Sequence, residues 1–421
     1  MSVSPRILAP LAAVGLLLSA CDTAPTGETS GSASIQGRVT DDAASPTARR
    51  AAAPVEGAAV VAASVSASGS LRAMSGTATS GADGSFSLDT DVSADPVVLT
   101  ATSGSFERRV LLEAGAAQRT RVQSAPMTSE TDSEVGVFLA GRSASSASAA
   151  DVAVFVTADV AADIRAGRST EAEVAAALRQ SLEAEAAYAE DGGVADDDAE
   201  DAREERDGAY ASLRASLYAS ASTEAAEAAV ASFEDAYAEA YVRAGASART
   251  TAEAAQTRSR ATAHFSTSLA SQTAFAVQQR SRVLAAYATA SAVEASFSAR
   301  GTLSARLSAL AEARRQLVAG LRAATTTAAM ASAEAAYAAS VKAELAGETA
   351  YGSSQITAAS SASANASAAF EAAASVAASG KALAAAAATF YGATRSAVEA
   401  ALGTGADASF TAEVVALVSV Y

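Results

Sequence analysis

The sequence predicts a multidomain α+β chain: a small β-sandwich on the N-terminal side, then a long alanine-rich helical region built as a bundle or drawn out as a stalk. Three observations lead there. Between residue 34 and about residue 125, short β-rich runs alternate with Gly, Pro and Asp at the spacing of an all-β sandwich. From Pro126 onward, helix-capping pairs precede stretches dominated by alanine. Half of the 421 residues are apolar, yet aromatic residues make up 5% and Trp is absent, so helix packing rather than large aromatic cores should carry most of the fold.

Residues 1–20 read as a signal peptide. Arg6 supplies one positive charge, and Ile7 to Leu18 form an apolar stretch of about a dozen residues, short of the ~20 that a membrane span needs. Leu18-Ser19-Ala20-Cys21 resembles a bacterial lipobox. That resemblance implies cleavage before Cys21, a diacylglyceryl group on its thiol, and a lipid-anchored protein of the bacterial cell envelope, periplasmic or surface-facing. Cys21 is the only cysteine, so no disulfide forms within the chain. Residues 21–33 are small and polar, a tether with a reach of roughly 20 Å.

Within residues 34–125 the expected strands are Ser34–Thr40, Ala58–Val65, Met74–Thr79, Ser85–Asp89, Val97–Ala101, Phe106–Leu112 and Arg119–Gln123. Asp83-Gly84 suits a tight turn, and Phe86 and Leu88 alternate onto one face of the strand after it. Ile35-Gln36-Gly37-Arg38-Val39-Thr40-Asp41, Pro54-Val55-Glu56-Gly57-Ala58-Ala59-Val60, Thr77-Ala78-Thr79 and Asp83-Gly84-Ser85-Phe86-Ser87-Leu88 together resemble the carboxypeptidase regulatory-like family. The resemblance covers about a fifth of the chain and implies a transthyretin-like, Ig-like sandwich that serves as an accessory module without catalytic residues. An insertion, Ala43–Ala53 with Arg49-Arg50, lengthens its first loop.

Residues 126–421 form the helical region. Thr131 with Glu134, Thr170 with Glu173, and Thr250 with Glu253 have capping-box spacing. Gly192-Gly193, Gly301, Gly347, Gly352 and Gly403 with Gly405 are the expected breaks. Leu303, Leu307, Leu310, Leu317 and Leu321 follow gaps of three and four, a heptad seam with Arg314 in one core-like slot. Tyr188, Tyr237, Tyr287 and Tyr337, each between alanines, recur at close to fifty residues, the length of a helical hairpin.

The chemistry on offer is limited. A formal charge of −16 excludes nucleic acid as a partner, because phosphate binding needs a basic surface. His264 is the only histidine, which removes multi-histidine metal centres. No catalytic set can be named, and no cofactor is implied. The acidic cluster Asp196, Asp197, Asp198 and Asp201 is a candidate hard-cation site, set against the plainer expectation of an acidic helix start with Arg203 and Asp207 paired four residues apart. Arg306, Arg314, Arg315 and Arg322 form a basic patch expected to meet that acidic stretch across the bundle. The expectation is therefore a non-enzymatic, lipid-anchored envelope protein with a structural or protein-interaction role, holding the membrane through its lipid and a protein partner through its helices. The alternative is an accessory lipoprotein that binds glycan or peptide on the sandwich or in a helical groove.

Overall fold

A computed structural model describes residues 32–42, 53–220 and 222–419. Leu18, Ser19, Ala20 and Cys21, most of the tether, and Arg49-Arg50 of the insertion lie outside the described residues.

The N-terminal part is a small β region of strands β1 (Ser32–Arg38), β2 (Thr40–Asp41), β3 (Ala53–Pro54), β4 (Ala59–Val65), β5 (Leu71–Thr79), β6 (Ser85–Asp91), β7 (Val97–Ser103), β8 (Phe106–Leu112) and β9 (Arg121–Gln123). One sheet has the order β6-β1-β9, with β1 antiparallel to β6 and parallel to β9; a second, antiparallel throughout, has the order β5-β4-β7-β8. All seven expected runs pair as strands, because alternation and turn residues are local signals. The first expected run is divided, its last residue Thr40 falling in β2, and the two-residue β3 was not expected; the two short strands pair Thr40 with Pro54 across the insertion. Inward residues of both sheets, Ile35, Val60, Phe86, Leu88, Leu99, Val110 and Leu112, share one core.

The opposite face of the larger sheet is buried too. Val65, Val98 and Leu111 belong to the core of the helical part, together with Val135, Phe138 and Phe155. Of the outer strands, β8 is covered by a helix and β5, though largely exposed, lies against β6. Helix α1 (Ser129–Gly141) packs on β8, where Arg109 donates to Asp132 at 2.6 Å. β5 closes against β6, where Gly76 at φ +85° lies so near the Asp89 carbonyl that a Cβ would overlap it. Asp42 fastens the start of α1 to the end of β2 by accepting the Ser129 N–H at 3.0 Å.

The remaining helices are α2 (Ala149–Phe155), α3 (Ala158–Arg165), α4 (Glu171–Asp191), α5 (Asp196–Ala219), α6 (Thr223–Ala238), α7 (Ala240–Arg243), α8 (Ala248–Phe265), α9 (Ser271–Ala299), α10 (Ser304–Ala323), α11 (Thr327–Glu348), α12 (Ser353–Ala362), α13 (Ala364–Ser375), α14 (Gly380–Leu402) and α15 (Ala406–Val418). They form a bundle. The 29-residue α9 packs on α8, α10, α6 and α3 at once, which a stalk would not allow. Small residues permit close crossings: a Cβ on Gly380 would overlap the Gln180 carbonyl of α4.

Several local expectations shift. Thr170 caps α4 with Glu173 as read, but Thr131 and Thr250 sit one turn inside their helices, which are capped by Thr128 and Ser247. The same three-residue spacing occurs upstream of each, and Glu253 is drawn away to Tyr188 and Arg395. Gly347 lies within α11. Leu303 precedes α10 and is 71% exposed, so the seam begins at half-buried Leu307 and is fully buried at Leu310, Leu317 and Leu321. Arg314 leaves its slot to pair with Glu294 at 3.3 Å. The four tyrosines fall on α4, α6, α9 and α11 in unlike surroundings: Tyr188 donates to Glu253, Tyr237 to Asp151, and Tyr287 accepts from Arg322 at 3.1 Å.

Candidate functional site

The β region and the bundle meet along a buried polar seam. Tyr210 and Arg214 lie four residues apart on α5 and so face the same way, toward the end of β8. Tyr210 donates its hydroxyl to the Leu111 carbonyl at 3.1 Å, and Arg214 donates to both carboxylate oxygens of Glu113 and to the Gln123 carbonyl of β9. Arg214 and Glu113 are each 2% exposed, so the ion pair is closed to solvent.

Beside this seam opens a cavity of about 370 Å³. Leu213 and Leu217 of α5 with Ala226, Val230 and Phe233 of α6 form an apolar wall. Glu130 and Glu134, one turn apart at the start of α1 and only 4% and 6% exposed, face that wall together with Arg38, Arg214 and Arg280. Arg280 reaches in from α9, paired with Glu234 and donating to the Val154 carbonyl at 3.2 Å. On the other flank of α6 a second pocket of about 470 Å³ shares Glu130, Ala226, Val230 and Arg280. Apolar surface with a few fixed charges at the junction of two parts of a fold is the usual setting of a ligand pocket.

Deeper in the bundle lies a second charged cluster. Arg206 pairs with Glu185, and its guanidinium stacks 4.3 Å from the Tyr237 ring centroid and 5.0 Å from that of Tyr241. Arg258 donates to Glu185 at 3.0 Å and to the Tyr237 hydroxyl at 2.6 Å, and Tyr237 donates to Asp151. These charges compensate one another, and burial with a hydrogen-bonded partner is what keeps such groups in a core. Asp207, expected to pair with Arg203 on the surface, instead turns toward Ser148; burial first, then the nearby Asp151 carboxylate, push it up to about 6. Burial likewise raises the Tyr237 hydroxyl well above its usual range.

The residues singled out in the sequence are not brought together here. Asp196, Asp197 and Asp198 form the first turn of α5, the first two exposed and Asp198 half-buried, with Asp201 exposed on the next turn, and among the described residues no three potential metal ligands converge. The basic patch does not meet them: Arg306 pairs with Glu344 and Glu348, Arg315 with Glu312 and Arg322 with Glu234. His264 Nε2 lies 2.8 Å from the Ala377 carbonyl, with the Phe265 ring edge-on beside it. The junction residues were not visible in advance, apart from one signal: Arg214 breaks the apolar face of Tyr210, Leu213 and Leu217. Among family models, curated proteins and solved structures, none matches this chain.

Proposed function

We propose that the chain is a non-enzymatic, lipid-anchored protein of the bacterial cell envelope. Its transthyretin-like sandwich and helical bundle act as one binding body near the membrane, with the amphipathic cavity between them as the ligand site. The observation that carries the reading is that cavity, enclosed by β-region, α1, α5, α6 and α9 residues alike. The lipobox resemblance of Leu18-Ser19-Ala20-Cys21 supports the anchor, and no helix among the described residues is long and apolar enough to cross a membrane. His264, the one residue that could have served as an imidazole base, is held against a backbone carbonyl.

The test has two arms. Cys21→Ser should release the protein from membranes into the soluble fraction; unchanged membrane fractionation would overturn the anchor. Protein purified gently from native membranes is extracted and its small molecules compared by mass spectrometry with those of Val230→Trp, which fills the cavity. A compound retained by the wild type and lost in the variant supports the reading, and identical extracts reject it. A purely structural, protein-binding role is the second reading, favoured by the continuous buried seam between the two parts.

A further inference from the structure

Half-buried arginines of the bundle reach carboxylates on other helices: Arg282 reaches Glu334, Arg306 reaches Glu344, Arg314 reaches Glu294 and Arg395 reaches Glu253. Half-buried Arg179 on α4 breaks this pattern, and exposed Arg203 on α5 stands beside it. Neither makes an ion pair among the described residues, although Glu183 follows Arg179 and Asp207 follows Arg203 by four residues, the spacing at which helical pairs form. Both line one cleft of about 330 Å³ between the α1–α2 connection, α4, α5 and α7. Behind them sits Arg206, 7% exposed, whose Nε–H is buried without an acceptor among the described residues. The facing wall carries the hydroxyl-bearing Ser145 and Ser146.

We propose that this cleft binds a small oxyanion, a carboxylate or phosphate group held between the Arg179 and Arg203 guanidiniums with Arg206 at its back. Guanidinium forks match the planar oxygens of either group, and charge-assisted bonds of this kind are about twice as strong as neutral ones. Two cations left unpaired by carboxylates one turn away are therefore available to a ligand. Three carboxylates share the lining: Asp151 and Glu185 are taken up by Arg206, Arg258 and Tyr237, while Glu183 on the rim opposes an anion, so it limits affinity and gives the site a second handle. The site is separate from the junction cavity and stands independently of what fills that cavity.

Isothermal titration of the full mature chain in detergent at low ionic strength, with inorganic phosphate in one series and citrate in another, tests this. One saturable site is expected, and the probe that fills it identifies phosphate or carboxylate as the natural group. Arg179→Gln and Arg203→Gln should each weaken binding about tenfold, the double variant should abolish it, and Glu183→Gln should tighten it. Because both arginines are unpaired, their thermal midpoints should match the wild type, which separates loss of the site from loss of the fold. No saturable binding of either probe, or binding that the double variant leaves intact, would overturn the proposal.

Discussion

Arg214 is buried with its two terminal guanidinium nitrogens donating to Glu113 and the Gln123 carbonyl. Taking a guanidinium out of water costs several kcal/mol, which the pair regains only while both partners are present. Glu113→Ala should therefore destabilise the fold by about 3–5 kcal/mol in urea denaturation, whereas the double replacement Glu113→Met/Arg214→Met should come close to the wild type. A small loss in the single variant would mean that the pair is open to water. Asp207 makes a different residue-scale prediction. Its carboxyl is pushed up to about 6 from the usual 3.8, so the folded state holds a proton that the unfolded chain has already lost. Stability from this group is thus greatest below pH 4 and falls as pH rises to about 6, then stays level. Asp207→Asn should remove that fall and gain on the order of 2 kcal/mol at neutral pH. Parallel pH series of thermal midpoints for the two proteins would check it, and identical slopes would count against the burial of Asp207.

Among elements, the β5–β6 contact is the most exacting. Gly76 combines φ +85° with a position against the Asp89 carbonyl, so Gly76→Ala is both conformationally strained and sterically blocked. A loss of about 2 kcal/mol or more in chemical denaturation is expected, and a loss below ~0.5 kcal/mol would show that the strand pair can separate freely. Strands and turns were legible in the sequence because Ile35, Phe86 and Leu88 alternate and Gly84 punctuates, all within a few neighbours. Helix starts were legible to within a turn, since a capping spacing can repeat three residues upstream, as Thr128 and Ser247 do. Partners could not be read. Which carboxylate meets Arg306 or Arg322, and that Glu113 would meet Arg214 across 101 positions, depends on how helices and strands cross in space.

For the whole molecule, the boundary near residue 125 divides two kinds of secondary structure, each with a core of its own, but does not seal the β region from the helices. Val65, Val98 and Leu111 turn the outer face of the larger sheet into part of the helical interior. A fragment of residues 32–125 should accordingly expose an apolar sheet face and elute as aggregates in size-exclusion chromatography, while the chain with its bundle elutes as a discrete species. A soluble, monomeric fragment would show that the sheet does not need the helices.

The same covering of strand edges bears on life at a surface. An open edge strand is a template on which another chain can lay down hydrogen bonds. Attachment through Cys21, as proposed, would confine copies to two dimensions and multiply the encounters between them. With β8 under α1 and β9 held by Arg214, collisions at those two edges meet side chains and helices instead of bare backbone, which leaves β5 as the more exposed edge. Crowding on a membrane then has one edge, β5, rather than several on which polymerisation could start.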